Sequence, residues 1–241
     1  MAVAQAHPSY QNRQSLEAEL SRMAGLVESQ LQAAIAAFER RDPAAAQRVI
    51  DMDRRVDAYD ADIESKVIEL LAEEVLPQDA LREVITIMKL TGELERVGDL
   101  AKNVAKRTLV LSQEAPATPA TGVMRMGRVS LRQFSDVLTA FASRNLEAAE
   151  AVWRGDDEVD ELYNSVFQEL LLAMMADSGK VNACTHLVFV AKNFERVGDH
   201  ATNIAEALHF LLTGEPLADP RPKVDETSTT LVAPPNQSGA R

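Results

Sequence analysis

Acidic side chains recur at helical spacing in a segment that the chain carries twice. Glu95-Arg-Val-Gly-Asp99 returns one hundred residues later as Glu195-Arg-Val-Gly-Asp199, and eight of the thirteen positions from 95 to 107 match those from 195 to 207. A duplication kept only for packing needs its apolar positions alone, yet this one also keeps its Glu and Asp residues. The pattern therefore predicts paired carboxylates that perform the same task in both halves.

A second acidic pair precedes each copy, at an offset of 103 residues. Residues four apart on a helix have Cβ atoms roughly 5–6 Å apart, and neighbouring helices of a bundle pack about 8–10 Å apart. We therefore expect four carboxylates to converge in each half of the chain. They are Asp53, Asp57, Glu95 and Asp99 in the first half, and Asp156, Asp160, Glu195 and Asp199 in the second.

Such a cluster is electrostatically unfavourable unless a cation offsets it. Two unit charges about 4 Å apart repel by about 4 kcal/mol at an effective dielectric constant of about 20. Ligand sets made only of oxygen suit hard cations such as Mg²⁺, Ca²⁺, Mn²⁺ or ferric iron, and several carboxylates can bridge more than one ion. The alternative is a solvated charged surface, because other charged residues surround Asp53 and Asp57. The duplication favours the metal site.

The elements that must position these residues are long amphipathic helices, three in each half. In the first half, apolar residues recur every three or four positions from about 15 to 40, which is the period of one helix face. Asp42 and Pro43 predict the start of a second helix, and Asp79 is placed to cap a third, from about 80 to 111. The second half predicts helices over about 123–144, 146–177 and 181–212, of which Gly155 could kink the middle one.

The predicted fold is all-α, with two tandem pseudo-symmetric three-helix bundles. Residues 9–113 form the first repeat and residues 123–213 form the second, with a linker rich in Ala, Pro and Thr between them. The Pro-rich tail, residues 214–241, is predicted to be disordered because it contains few apolar residues.

Composition excludes several classes of function. A net charge of −12 argues against nucleic acid and against anionic lipid as partners. The chain has no apolar run long enough for a transmembrane span and no basic segment followed by an apolar one at its N-terminus. Its single cysteine, Cys184, excludes an internal disulfide, fits the cytoplasm and is predicted to be a core residue.

Three further features of the duplicated segment bear on the site. Gly98 and Gly198 each cost a helix about 1 kcal/mol relative to Ala, so a neighbouring helix or ligand is expected to approach closely. Asn103 and Asn203 lie one turn further along the same face, either as donors to the metal ligands or as interhelical hydrogen-bond partners. His200 replaces a leucine of the first copy and is not expected to be a ligand.

Together these motifs resemble the PhoU family of bacterial phosphate uptake and signalling proteins, over about residues 13 to 213. The family's Asp-Leu-Arg at the third helix reads Asp79-Ala-Leu-Arg82 here, with one residue inserted. The resemblance implies two three-helix bundles, a homodimer, and multinuclear metal clusters of iron, zinc, manganese or magnesium on the eight carboxylates given above. It also implies a negative regulator without catalytic activity. Such a regulator would contact the ATPase subunit of the phosphate ABC transporter and the sensor histidine kinase.

Two other classes of function stay open at this point. A carboxylate-bridged multinuclear metalloenzyme, a hydrolase or an oxidase, would use the cluster to activate water or dioxygen. The sequence disfavours it because it shows neither a histidine ligand nor a nucleophile–base pair nor a glycine loop that could cradle phosphate. A purely structural helical module would use its acidic face only to bind partners.

Overall fold

The computed structural model describes residues 8–73, 75–115, 120–155, 157–217 and 227 of the 241-residue chain. Within these ranges the regular elements are helices, and no strand is present. The predicted all-α fold is confirmed. Asp156 and nearly all of the Pro-rich tail lie outside the described residues.

The first half contains three long helices: α1 (Pro8–Arg40), α2 (Pro43–Glu73) and α3 (Gln78–Leu111). The predicted start of α2 is confirmed, because Asp42 Oδ1 accepts a hydrogen bond from the backbone N–H of Ala45 at 3.0 Å. Pro43 takes the first helical position, where its missing N–H costs nothing.

The predicted capping role of Asp79 is wrong. Helix α3 begins at Gln78, so Pro77 is the residue before it and Asp79 lies inside the first turn. There its carboxylate lies 3.7 Å from Arg82 Nη2, and its negative charge is favourable beside the positive end of the helix dipole.

The second half contains α4 (Ala120–Ser143), α5 (Leu146–Arg154), α6 (Asp157–Ala176), a short 3₁₀ turn (Ser178–Lys180) and α7 (Val181–Thr213). Asn145 caps α5, since its Oδ1 accepts a hydrogen bond from the N–H of Ala148 at 3.1 Å. The helix predicted over 146–177 is two helices, because the regular hydrogen-bonding pattern stops at Gly155.

The backbone repeats the internal symmetry of the sequence at the end of the first helix of each half. Arg41 and Arg144, 103 positions apart, both adopt the left-handed conformation, with φ angles of 52° and 49°. In each half the following N–H bonds back into the helix: Asp42 N to Ala37 O at 3.0 Å, and Asn145 N to Ala140 O at 2.9 Å. This closing motif is usually built on glycine.

The two halves share one hydrophobic core. Helix α3 packs along α7, and α1 packs against α4. At their junction the ring of Phe38 meets the ring of Phe194 edge to face, with centroids 6.4 Å apart. A Cβ added to Gly127 would lie 2.9 Å from Phe194 Cζ, so α4 can approach α7 this closely only because residue 127 is glycine.

No helix in the described part of the chain combines the length and the apolar character that crossing a membrane requires.

Candidate metal centre

Asp53 is the buried member of the acidic pair on α2, with 4% of its surface exposed. The ammonium of Lys102, on α3, donates a short hydrogen bond to its Oδ2. The amide of Gln30, on α1, approaches its other oxygen, with Nε2 3.4 Å from Oδ1. A buried carboxylate needs such partners, because an uncompensated charge in the interior is costly.

Lys102 joins two of the predicted ligands. Its Nζ also lies 2.6 Å from Oδ1 of Asp99, one turn earlier on the same helix. Burial by itself would lower the pKa of Lys102, but the hydrogen bonds to Asp53 and Asp99 outweigh burial and raise that pKa well above its ordinary value. The ammonium is therefore charged at any physiological pH, and it offsets one of the two negative charges of the carboxylates that it bonds.

The carboxylate of Glu95, on α3, is half-buried. Burial raises its pKa, and the negative charges of Asp99, Asp60 and Asp57 raise it further, against an opposing effect of Arg96. The pKa of Asp60 is itself raised, by burial and then by Glu64 and Asp57. The charges of Asp57 and Asp60 on α2 thus act on Glu95 on α3, and Asp60 was not among the predicted ligands.

The members of this face differ in depth. Asp57 is exposed and the side chain of Asp99 is 45% exposed, whereas Asp53 lies in the interior. Across the part of the chain that the structure describes, no three His, Cys, Asp or Glu side chains come close enough together to hold a metal ion. In the first half, Lys102 is the cation that meets the predicted ligands.

The second half buries its carboxylates more deeply. Asp160 is 5% exposed and Glu195 is 4% exposed, while Asp199 is half-buried. Lys192 Nζ lies 2.8 Å from Glu195 Oε1 and 4.9 Å from the centroid of the Tyr163 ring. Asp156 falls outside the described residues, so its place relative to these groups stays a prediction.

A lysine therefore meets the acidic residues in each half, but from different positions. At an offset of 100 residues, Lys102 corresponds to Thr202 and Lys192 corresponds to Gly92. The two halves share the carboxylates, but the compensating lysine lies one turn after the motif in the first half and one turn before it in the second. A compensating cation at both places is thus a shared property of the two sites.

The chemical type of the donors suits a hard cation, although no three of these side chains come together among the described residues. Carboxylate oxygens are the ligands that such ions prefer, and the pKa of Glu95 is raised by burial and then by the neighbouring carboxylates. The amide oxygen Oε1 of Gln30 is buried beside them, and among the described residues it has no hydrogen-bond donor. Gln133 holds the corresponding position of the second half, and its Oε1 is in the same condition within the described chain.

At Gly98, α3 lies close to both α1 and α2. A Cβ there would lie 3.2 Å from Gln30 Oε1 and 3.2 Å from Val56 Cγ1. The predicted close approach of a neighbouring helix is confirmed at this position, with both α1 and α2 as the neighbours.

Sequence reasoning missed Gln30, Gln133, Lys102, Lys192 and Asp60. The two glutamines could have been found, because they share the 103-residue offset of the acidic pairs and interrupt an otherwise apolar stripe. Lys102 follows Asp99 at a spacing that favours an ion pair on a helix, but its contact with Asp53 depends on how α2 packs.

Asn203 and His200 serve the contact between the halves. Both meet Glu93 on α3: Asn203 Nδ2 donates to Glu93 Oε2 at 3.0 Å, and His200 Nδ1 lies 2.6 Å from the same oxygen. Burial would raise the pKa of Glu93, but the hydrogen bonds from His200 and Asn203 outweigh it and lower that pKa. Of the two roles considered for Asn203, the interhelical hydrogen bond is the one observed.

Comparison with known proteins places this geometry in a family. The PhoU domain model matches the chain twice, over residues 20–108 and 123–208. The chain belongs to the PhoU family. A relative from Caulobacter vibrioides (strain NA1000 / CB15N), named phosphate-specific transport system accessory protein PhoU homolog, is 48% identical over 214 residues, which cover 88% of this chain and 93% of the relative.

More distant PhoU proteins match over a similar length. The Escherichia coli (strain K12) phosphate-specific transport system accessory protein PhoU is 30% identical, with 84% of each chain covered. The crystal structure of PhoU from Pseudomonas aeruginosa superimposes with a TM-score of 0.83 at 30% identity, covering 86% of this chain and 99% of that one. The phosphate transport system regulatory protein PhoU from Streptococcus pneumoniae has a TM-score of 0.79 at 28% identity, with 87% and 99% covered. The PhoU family and its fold thus extend over both halves.

Proposed function

We propose that the chain is a metal-binding regulatory adaptor of phosphate homeostasis. In this proposal it acts in the cytoplasm as a homodimer and contacts the ATPase subunit of the phosphate ABC transporter and the sensor histidine kinase. Through those contacts it restrains phosphate uptake and the response to phosphate starvation. The supporting observation is the match of both halves to the PhoU domain, together with relatives named as accessory proteins of phosphate-specific transport.

The residues that would hold cations are the eight carboxylates of the two duplicated motifs. They are Asp53, Asp57, Glu95 and Asp99 in the first half, and Asp156, Asp160, Glu195 and Asp199 in the second. A bound metal ion would supply concentrated positive charge between α2 and α3 in the first half and between α6 and α7 in the second. The acidic side chains already oppose one another there, so this charge would stabilise the packing of those helices.

Cation binding in the first half would exchange one positive charge for another. The ammonium of Lys102 bonds to Asp53 and Asp99, and a metal ion would compete for the same oxygens. Because a carboxylate oxygen offers few lone pairs, strong coordination would weaken its bond to lysine. The Lys102 side chain, which is 22% exposed, would then project further towards solvent and change the charge that a partner meets.

The test is partner binding at controlled metal occupancy. The chain, stripped with chelator and then loaded with Mn²⁺ or Fe³⁺, is tested by pull-down against the transporter ATPase and the kinase, and its metal content is measured by mass spectrometry. We expect metal in both halves and partner binding that depends on it. The double variant Glu95→Gln, Glu195→Gln should lose both, whereas Asp51→Asn, an exposed carboxylate on α2, should lose neither.

Two results would contradict the proposal. Undiminished partner binding by the metal-free double variant would favour a structural module whose acidic face is sufficient. Turnover of a phosphoester or of a redox substrate by the metal-loaded chain, lost in the same variant, would favour the metalloenzyme.

A further inference from the structure

Two cavities lie along the contact between α3 and α7, one towards each end, and we call this surface the groove. The helices are antiparallel, because Glu93 meets His200 and Asn203 at one end while Arg107 meets His186 at the other. Asn103 lines one end of the groove and its counterpart Asn203 lines the other. The two ends are therefore built from equivalent positions of the duplicated sequence.

The end at Asn103 is basic. It is a cavity of about 360 Å³ whose lining residues carry N–H donors and an apolar wall. The donors are on Asn103, Lys106, Arg107, His186 and Asn193, and the wall is formed by Val110 and Phe189. Among these described lining residues none is acidic. Outside this lining, the carboxylate of Glu114 acts electrostatically on His186 and accepts a hydrogen bond from Asn182 Nδ2 at 2.5 Å.

Arg107 is held in position inside this cavity. Its Cζ lies 4.3 Å from the centroid of the Phe189 ring, so the guanidinium stacks over an aromatic face that is 47% exposed. Its Nη1 lies 3.1 Å from Nδ1 of His186. Arginine has five N–H donors and no acceptor, so His186 accepts through Nδ1 and carries its proton on Nε2.

The neutral form of His186 is favoured by its surroundings. Burial lowers its pKa, and the positive charge of Arg107 lowers it further, against a smaller opposite effect of Glu114. Lys106 adds a third cationic or donor-bearing side chain to the same concavity. Lys106 and Arg107 thus bring two cationic side chains to one cavity in a chain of net charge −12, and such a local excess of positive charge favours a negative ligand.

The other end of the groove has the opposite character. That cavity, of about 580 Å³, is lined by Glu93, Glu206 and Lys89 among other residues. At the 100-residue offset, Lys106 and Arg107 correspond to Glu206 and Ala207, and Asn193 corresponds to Glu93. The two cavities thus share equivalent positions of the duplicated sequence but carry different charged residues there. The acidic cavity therefore serves as an internal control for anion binding at the basic one.

We propose that the cavity lined by Lys106, Arg107 and His186 binds a phosphate-class oxyanion, either free orthophosphate or the phosphoryl group of a nucleotide. A tetrahedral oxyanion offers more acceptor positions than a carboxylate, and five donor-bearing side chains converge here. The planar guanidinium matches two oxygens of such an ion at once. The site rests on its own geometry, so its failure would leave the proposed metal sites and partner contacts untouched.

The experiment follows histidine ring resonances of the full chain by NMR at fixed pH and ionic strength while inorganic phosphate is added, and in a second arm adenosine monophosphate. We expect the His186 ring to shift and to saturate with a dissociation constant of about 1 mM or tighter. His200, hydrogen-bonded to Glu93 at the acidic end, should not move. The arm with the tighter binding identifies the source of the phosphoryl group.

Matched variants test the assignment. Lys106→Met, at an exposed position, and Arg107→Met should each weaken binding roughly tenfold or more, whereas Lys89→Met at the opposite end should leave it unchanged. Because Lys106 is exposed, its variant keeps the assay informative even if Arg107→Met is poorly folded. The proposal is overturned if His186 does not respond to either anion, or if Lys89→Met loses as much affinity as Lys106→Met.

Discussion

Gln30 and Gln133 occupy equivalent places in the two halves, and each donates a hydrogen bond to a backbone carbonyl outside its own helix. Each is buried, and each donates its Nε2 hydrogen to a backbone carbonyl: Val49 O at 3.4 Å from Gln30, and Gly155 O at 2.7 Å from Gln133. The two carbonyls differ, however. Val49 lies inside α2, whereas Gly155 follows the last residue of α5, where carbonyls have no partner within the helix.

Replacing each glutamine by leucine should therefore have unequal effects. Gln133→Leu deprives Gly155 O of its bond and should lower the free energy of unfolding by about 1–2 kcal/mol. Gln30→Leu loses only long hydrogen bonds and also removes a buried oxygen that lacks a donor among the described residues, so we expect a change within about 1 kcal/mol. Urea denaturation measures both. If both variants lost the same free energy of unfolding, the hydrogen bond from Gln133 to Gly155 O would not be needed to stabilise the break between α5 and α6.

Lys102→Met tests the exchange of lysine for a metal ion. The variant leaves Asp53 buried without its ammonium partner, so the metal-free chain should lose about 1.5–3 kcal/mol of stability. Its affinity for Mn²⁺ should rise, because the competing charge is gone. Thermal unfolding with and without Mn²⁺ measures both effects, since a ligand that binds only the folded state raises stability by an amount that grows with the logarithm of its affinity.

Lys106→Met is the control for that experiment. It removes the same charge from the same helix, one turn further on, at an exposed position. Its stability and its response to Mn²⁺ should equal those of the unchanged chain. If Lys102→Met bound Mn²⁺ more weakly than the control, lysine would support the metal site instead of competing for it.

Glycines at two helix-interior positions should respond to alanine in opposite directions. In Gly127→Ala the new Cβ would lie 2.9 Å from Phe194 Cζ and 3.4 Å from Ile35 Cγ1. Such overpacking should destabilise the fold by about 1–3 kcal/mol. In Gly25→Ala nothing lies within 4 Å of the new atom, so the better helix propensity of alanine should stabilise the fold by up to about 1 kcal/mol. Denaturation midpoints of the two variants should move in opposite directions, and a parallel shift would contradict this account of the contact between α4 and α7.

The thiol of Cys184 should be protected, and its protection should depend on pH. The side chain is fully buried, and burial raises its pKa above the ordinary 9.0, against a smaller effect of Lys180. Alkylation by iodoacetamide at pH 8 should be at least roughly tenfold slower in the native state than in urea, because the thiolate is the reactive form.

The sign of the linked stability change follows from the same shift. The unfolded chain loses the thiol proton at a lower pH than the folded chain does, so this contribution to stability declines as pH rises through 9.0. Cys184→Ala should lack that part of the decline while losing a constant amount from the cavity. A pH-independent difference between the two proteins from pH 7 to about pH 10 would contradict the expected titration.

Local rules accounted for most of the helices. Asp42 and Asn145 cap the helices that follow them because an N-cap bond joins residues only three apart. The same local rule failed at Asp79, because the helix begins one residue earlier, after Pro77, and no side chain caps it. The break at Gly155 could be suspected but not located from sequence, since an isolated glycine is often tolerated inside a helix.

The sequence by itself determined the duplication, the all-helical class, the carboxylates of the motif and the membership of the PhoU family. Each of these can be recognised from residue types and their short spacings along the chain. Only the tertiary structure decided which carboxylates are buried. Residues four apart differ in direction by roughly 40° around a helix, so Asp53 lies beneath α3 while Asp57 reaches solvent. The contacts of Lys102 with Asp53, and of Arg107 with His186, join residues that are far apart in the chain. They exist because long helices pack side by side, which no local pattern specifies.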